Sequence, residues 1–245
     1  MTTAYDPHRA HGLRVAVTGA TKGLGLALVR EWLARGARVA FVARDEALVR
    51  VTERSLPGTH GIAADVANKE DIHRIALQVL GTLGGLDVLV NNASSLGPVP
   101  LALLADTECE DFERALATNV LGPFRITKAL LGLLAASARE SHQHGERAVV
   151  VHIGSDAAVT PYAGWGAYGA SKAALAHMGR IWNEELSPHG IAVVDFDPGD
   201  MDTPMHAAAI PDADPATLKR PRDAARELLA RIDRERAAAP VTGAR

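Results

Sequence analysis

Thr18-Gly19-Ala20-Thr21-Lys22-Gly23-Leu24-Gly25, residues 18–25, is the stretch on which the fold turns. It follows a mostly apolar run, 13–17, and leads into helical periodicity that lasts to about residue 35, so the local order is strand, tight turn, helix. Glycines at 19, 23 and 25 remove Cβ atoms where backbone N–H groups and a helix N-terminus would approach a pyrophosphate. Glycine turns are common, and the pattern alone is weak. Its place between a first strand and a first helix points to a bound nucleotide.

Outward from this turn the same alternation repeats. Gly36 caps the first helix, and 37–43 (ARVAFVA) reads as a buried strand followed by a helix opened by Arg44 and Asp45 that ends near 56–58. A short strand at 61–64 delivers Asp65 and Val66, a charged helix spans 68–83, and the strand at 86–90 stops at Asn91-Asn92-Ala93. A long helical stretch, 107 to about 138, is expected to break at Gly122-Pro123. A polar loop at 139–147 leads to a strand at 148–153, a helix carrying Tyr168 to about 186, and a strand at 191–196 that ends at Asp197-Pro198-Gly199. Segment 200–220, rich in Pro, Asp and Ala, is expected to be a lid; 222–236 is an amphipathic helix and 237–245 a short tail. The expectation is a Rossmann-type, doubly wound parallel α/β sheet in one domain, 13–245, behind a flexible tail at 1–12. Ligand groups then gather at the carboxyl ends of the strands.

Totals narrow the function. With 245 residues, 47% hydrophobic and 22% charged, the chain can bury a full core. A net charge of -3 gives no reason to expect nucleic acid or an anionic membrane as partner, so a small molecule is expected. Cys109, the sole cysteine, excludes an internal disulfide and fits a cytoplasmic setting; 1–12 lacks the apolar core of a secretory signal, and no run of about 18 uninterrupted apolar residues suggests a membrane span. His142 and His144 lack a third ligand, Asp197, Asp200 and Asp202 read as loop and capping residues, and Cys109 among carboxylates reads as an inert thiol, so no metal is expected.

Tyr168 and Lys172 stand four apart on one helix and share a face. A phenol titrates near pH 10, and lowering it by about two to three units takes roughly 3 to 4 kcal/mol, which a close ammonium together with a cationic cofactor ring would provide. Ser155, at the end of the fifth strand, is suited to hydrogen-bond a carbonyl oxygen. Trp165 either lines a pocket or packs.

In order, these motifs resemble the short-chain dehydrogenase/reductase family over nearly the whole chain. TGATKGLG is similar to its cofactor loop, which assigns Gly19, Thr21, Lys22, Gly23, Leu24 and Gly25 to cofactor binding; Asp65-Val66 resembles the pair that meets the adenine. Asn92 and Ala93 lie in an N-N-A segment, Asn119 in T-N-V-L-G, and Ser155 stands thirteen residues before the Y-x-x-x-K of Tyr168 and Lys172; Pro198, Gly199 and Thr203 match the segment after the sixth strand. The resemblance implies hydride transfer between NADP(H) and a carbonyl or alcohol. Tyr168 would be general acid, Ser155 would orient the carbonyl, Lys172 would tune Tyr168 and grip the nicotinamide ribose, and Asn119 would hold a water in the proton relay. Ala43 and Arg44 stand where an NAD-preferring member has its ribose carboxylate, and with Lys22 they favour NADP(H); an alignment placing Asp45 on the ribose is the alternative. Ser94 replaces the family's glycine, and the usual last strand is short or absent beyond Val241-Thr242. The family's other interface implies a homodimer burying Leu130, Leu134, Leu175 and Met178, with a homotetramer as the larger form. A catalytically silent NADP-binding regulator or scaffold is the rival reading.

Overall fold

The computed structural model describes residues 12–142 and 146–238; most of the expected tail at 1–12, the side chain of His142, His144 and the end beyond 238 lie outside the described residues. Strands β1 (Arg14–Thr18), β2 (Arg38–Ala43), β3 (Thr59–Ala63), β4 (Val88–Asn91), β5 (Ala148–Ile153) and β6 (Ile191–Phe196) form one sheet in the order β3-β2-β1-β4-β5-β6. All pairs are parallel, with Val17 opposite Phe41 on one side and Val90 on the other. The helices are α1 (Gly23–Ala34), α2 (Glu46–Ser55), α3 (Lys69–Leu83), α4 (Cys109–Leu116), α5 (Gly122–His142), α6 (Gly166–Leu186), α7 (Pro204–Ala209) and α8 (Pro221–Ala237). Chain direction across the sheet reverses between β1 and β4, which opens a crevice at their carboxyl ends.

A sheet covered on both faces explains why its strands read as nearly continuous Val, Ile, Leu and Ala. Val15, Val17, Phe41, Val90 and Val151 pack against Leu28 and Trp32 of α1 and Leu228 and Ile232 of α8. Ala16, Val42, Leu89 and Val150 face Ile75 and Val79 of α3 and Ile126, Leu130 and Leu134 of α5. Truncating any of these large buried side chains to Ala should cost about 2–5 kcal/mol. Polar locks join neighbouring elements: the buried Arg35 guanidinium, just after α1, meets Asp233 of α8 at 3.0 Å, and Arg14 of β1 meets Asp87, just before β4, at 2.9 Å.

Two expectations are corrected. The helix does not break at Gly122-Pro123, because a π-turn over Ala117–Leu121 joins α4 to α5 and the Gly122 N–H bonds Ala117 O one residue further back than in an α-helix. A widened turn of this kind absorbs a backbone that lacks the proline N–H, and Gly122 lets it approach Val66, whose atoms would lie 3.1 Å from an added Cβ. Leu130, Leu134 and Leu175 belong to this chain's own core and cannot meet a partner. Leu130 and Leu134 sit on the sheet-facing side of α5; the large apolar side chains left exposed on the π-turn, α5 and α6 are Leu121, Phe124 and Ile181. Segment 200–220 also holds more structure than its composition suggests, namely α7, a single 3₁₀ turn (Pro215–Thr217) and a bridge between Met201 and Lys219.

Candidate active site

The glycine turn is built by close approach. Gly19 has φ +68°, and a Cβ there would stand 2.7 Å from Ala93 Cα; a Cβ on Gly25 would meet Gly19 O and the Asn92 amide. Gly23 has φ +51° and faces the Thr203 methyl at 3.2 Å from its would-be Cβ. Asn92 fixes the approach, its Nδ2 donating to Thr18 O at 2.8 Å and to Gly19 O at 3.0 Å, while Thr18 Oγ1 accepts from the Asn92 and Ala93 N–H groups at 3.0 Å each. No side chain caps α1 and no acid lies in its first turn, whereas Asp45 and Asn68 cap α2 and α3. The N-terminal N–H groups of α1 therefore suit a phosphate.

A cavity of about 1080 Å³ opens at this turn and runs across the carboxyl ends of the strands. It is lined at one end by Gly19, Thr21, Lys22, Gly23, Leu24, Arg44, Asp65 and Val66, and at the other by Asn92, Ala93, Ser155, Tyr168, Lys172, Pro198, Gly199 and Thr203. Of the expected site residues, Gly25 packs beneath the turn rather than in the lining, and Asn119 lies buried behind it. Asp45 also lines the cavity, yet its carboxylate accepts the Leu48 N–H at 3.0 Å as the cap of α2. Arg44 is exposed and points no carboxylate at a ribose. The volume suits a dinucleotide with a small substrate, being at the upper end of ordinary ligand sites.

Tyr168 is buried at the start of α6 with Trp165 edge-on at 5.6 Å, so Trp165 both packs and lines the cavity. Lys172 Nζ lies 5.4 Å from the Tyr168 ring centroid and donates to Ile153 O at 2.7 Å. The expected lowering of the phenol includes a cofactor's charge; in the chain alone the phenol is raised. Burial foremost, then the carboxylates of Asp197, Asp156 and Asp200, push Tyr168 up to about 12, against a hydrogen bond with Ser155 that lowers it. Burial presses Lys172 down to about 8, against the pull of Asp195 and Asp197. A positive group beside Tyr168 would be needed to bring the phenol toward neutrality.

Ser155 begins a 3₁₀ turn, accepting from Ala157 N at 3.2 Å and donating to Asp156 at 3.1 Å. Asp156 also accepts from Tyr162 Oη at 2.7 Å. The Asn119 side chain is fully engaged: Oδ1 accepts from Ser95 N at 2.7 Å and Ser94 Oγ at 3.2 Å, and Nδ2 donates to Ser95 O and Ser171 Oγ at 2.8 Å each. Ser94, in place of a glycine, thus binds Asn119. Asp197 caps its own turn by accepting from Gly199 N at 2.9 Å, and among the described residues no cluster of three metal-ligating side chains occurs. Cys109 is an exposed free thiol. Sequence reading missed Asp156, Tyr162 and His206 at the cavity and Thr18 beneath its glycine turn; only the spacing of Thr18 from the glycines could have flagged any of them.

The short chain dehydrogenase family pattern matches residues 14–214. L-fucose dehydrogenase of Mus musculus is 33% identical over 197 residues, 80% of this chain and 68% of that protein. A 3-ketoacyl-(acyl-carrier-protein) reductase from Brucella melitensis, solved with NADH, is 26% identical with a TM-score of 0.81 over 90% of each chain. A short chain dehydrogenase from Burkholderia cenocepacia, solved with NADP, is 29% identical with a TM-score of 0.76 over 92% of this chain and 91% of that one.

Proposed function

The chain belongs to the short-chain dehydrogenase family of oxidoreductases, and from that premise we propose that it is an NADP(H)-dependent carbonyl reductase acting on an uncharged ketone or aldehyde. The observation that carries this reading is Tyr168, buried at the start of α6 and lining, together with Ser155 and Lys172, the same cavity as the glycine turn. Reduction needs a proton donor at that point. A nicotinamide cofactor, when bound, supplies the hydride. Tyr168 Oη then gives its proton to the carbonyl oxygen, while Ser155 turns its hydroxyl from Asp156 to the same oxygen and stabilises charge there. Lys172, behind the phenol, restores the proton and binds ribose hydroxyls; Asn119 enters the relay through the backbone of its π-turn, since its side chain is committed.

Arg44 and Lys22 support NADP(H), as two cations free to meet a 2′-phosphate at the adenine end of the cavity. Asp156, Asp197 and Asp200 surround the opposite end and disfavour an anionic substrate. The mouse relative is named for L-fucose, an uncharged sugar. Segment 200–220 is the lid, with Met205, His206, Ala209 and Ile210 covering the substrate end. The assembly we infer is a cytoplasmic homodimer, with a tetramer as the larger form, joined through the exposed Leu121, Phe124 and Ile181 of the π-turn, α5 and α6. A screen of NADPH and NADH oxidation over neutral and carboxylated ketones and aldehydes tests the reading, with turnover of neutral carbonyls by NADPH expected. Tight NADPH binding without turnover across the panel would instead identify a silent binding protein.

A further inference from the structure

Beneath α6 a row of polar side chains crosses the sheet where apolar ones prevail elsewhere. Asn91 of β4 is in register with His152 of β5, and His152 with Asp195 of β6. All three lie at the carboxyl ends of their strands, on the face that carries Leu89, Val150 and Val193. Asn91 Nδ2 bonds His152 Nδ1 at 3.3 Å and Thr127 Oγ1 at 3.2 Å. His152 is wholly buried, and Lys172 is nearly so. A buried ammonium is costly unless something compensates its charge. Its hydrogen bond to Ile153 O supplies a dipole only.

The nearby carboxylate is on the edge strand. Asp195 is exposed at the sheet edge, and its Oδ1 and Oδ2 lie 2.8 and 2.9 Å from where a Cβ of Gly154 would stand, so the carboxylate rests against the residue next to the one whose oxygen holds Lys172. Any side chain at 154 would displace it. We propose that Asp195 is a positioning residue of the active site, whose carboxylate keeps Lys172 in its ammonium form beneath Tyr168. The inference rests on the proposed catalytic role of Lys172 only for its consequence in turnover.

The groups facing this pair are few. Lys172 lies 5.4 Å from the Tyr168 ring of its own helix, and its charge acts through space on His152 of β5 and on Asp195 and Asp197 of β6 and the loop after it. Asp195 feels the charges of Lys172 and Arg180 of α6 and of Asp197 through space. Both carboxylates favour the Lys172 charge, Asp195 the more strongly, while Asp197 is also engaged with Gly199 N and bears on Tyr168. With Lys172 already pressed down to about 8 by burial, loss of the Asp195 charge would shift the amine further toward its neutral form.

The lysines are Lys22, Lys69, Lys128, Lys172 and Lys219, few enough for each ¹³Cε resonance of the labelled full-length chain to be assigned by single substitution. Titrating the Lys172 resonance in wild type, Asp195→Asn and Asp195→Glu is the test. The expected result is a fall of about one pKa unit in Asp195→Asn, with Asp195→Glu within a few tenths of wild type. In activity, the alkaline limb of the kcat/KM profile should move to lower pH in Asp195→Asn alone. An unmoved resonance in Asp195→Asn, or an equal fall in both variants, would overturn the assignment by showing no role for the charge. The titration needs no substrate, so a chain that reduces no carbonyl would defeat the proposed function and leave this inference standing.

Discussion

Thr18 and Asn92 are joined by reciprocal hydrogen bonds: Thr18 Oγ1 accepts the Asn92 N–H at 3.0 Å, and Asn92 Nδ2 returns a bond to Thr18 O at 2.8 Å. The pair clamps the ends of β1 and β4 at the point where strand order reverses. Asn92→Ala leaves the Thr18 and Gly19 carbonyls without their donor, and a loss of about 1–3 kcal/mol in stability is expected, with weaker cofactor binding. Urea denaturation and NADPH fluorescence titration measure both; unchanged affinity would show that the clamp does not shape the phosphate turn.

Arg44→Ala should weaken NADPH binding by about 10- to 100-fold, the worth of a charge-assisted contact, and leave NADH binding nearly unchanged. Parallel fluorescence titrations check this. Equal losses for the two cofactors would assign Arg44 a structural task and reopen the case for Asp45, whose carboxylate now caps α2.

His152 sets an acid limb of stability. Burial foremost and the Lys172 charge next hold it down to about 4 from 6.5, so the unfolded chain takes up a proton that the native chain refuses. Stability is therefore full above about pH 6.5 and falls as pH drops toward 4, by at most about 3 kcal/mol. Asp71, held low by Arg74, and Asp87, where bonds from Arg14 and Ser137 outweigh burial, release their contributions only below pH 3.8. Urea midpoints between pH 7 and 4 should fall in wild type and flatten in His152→Gln; a parallel fall in both would assign the limb elsewhere.

Phe124→Glu and Ile181→Asp replace exposed apolar side chains on the face inferred to dimerise. Light scattering should give a dimer for wild type and a monomer for the double variant. A wild-type monomer would remove the interface.

The glycine turn, the strand alternation and the Ser155, Tyr168 and Lys172 set were legible because each rests on local spacing: a missing Cβ, a period, four residues on a helix. What escaped depends on contacts far apart in the chain. Leu130 and Leu134 read as interface residues because periodicity shows that a face is apolar and leaves open what covers it; the sheet does. Pro123 read as a break because sequence patterns carry no sign of a π-turn. The Tyr168 phenol was expected to be lowered by the lysine and a cationic cofactor ring, whereas burial and the carboxylates of Asp156, Asp197 and Asp200, which raise it in the chain alone, come together only once the strand ends are side by side. Asp195 and His152 likewise become neighbours only through register.

The most direct test of the account is Tyr168→Phe, assayed by single-turnover oxidation of bound NADPH with a carbonyl that wild type reduces. Loss of the proton donor should slow the chemical step by about 10²- to 10⁴-fold while NADPH affinity stays within a few-fold of wild type. A variant that turns over at the wild-type rate would contradict the assignment of Tyr168, and with it the chemistry proposed for this site.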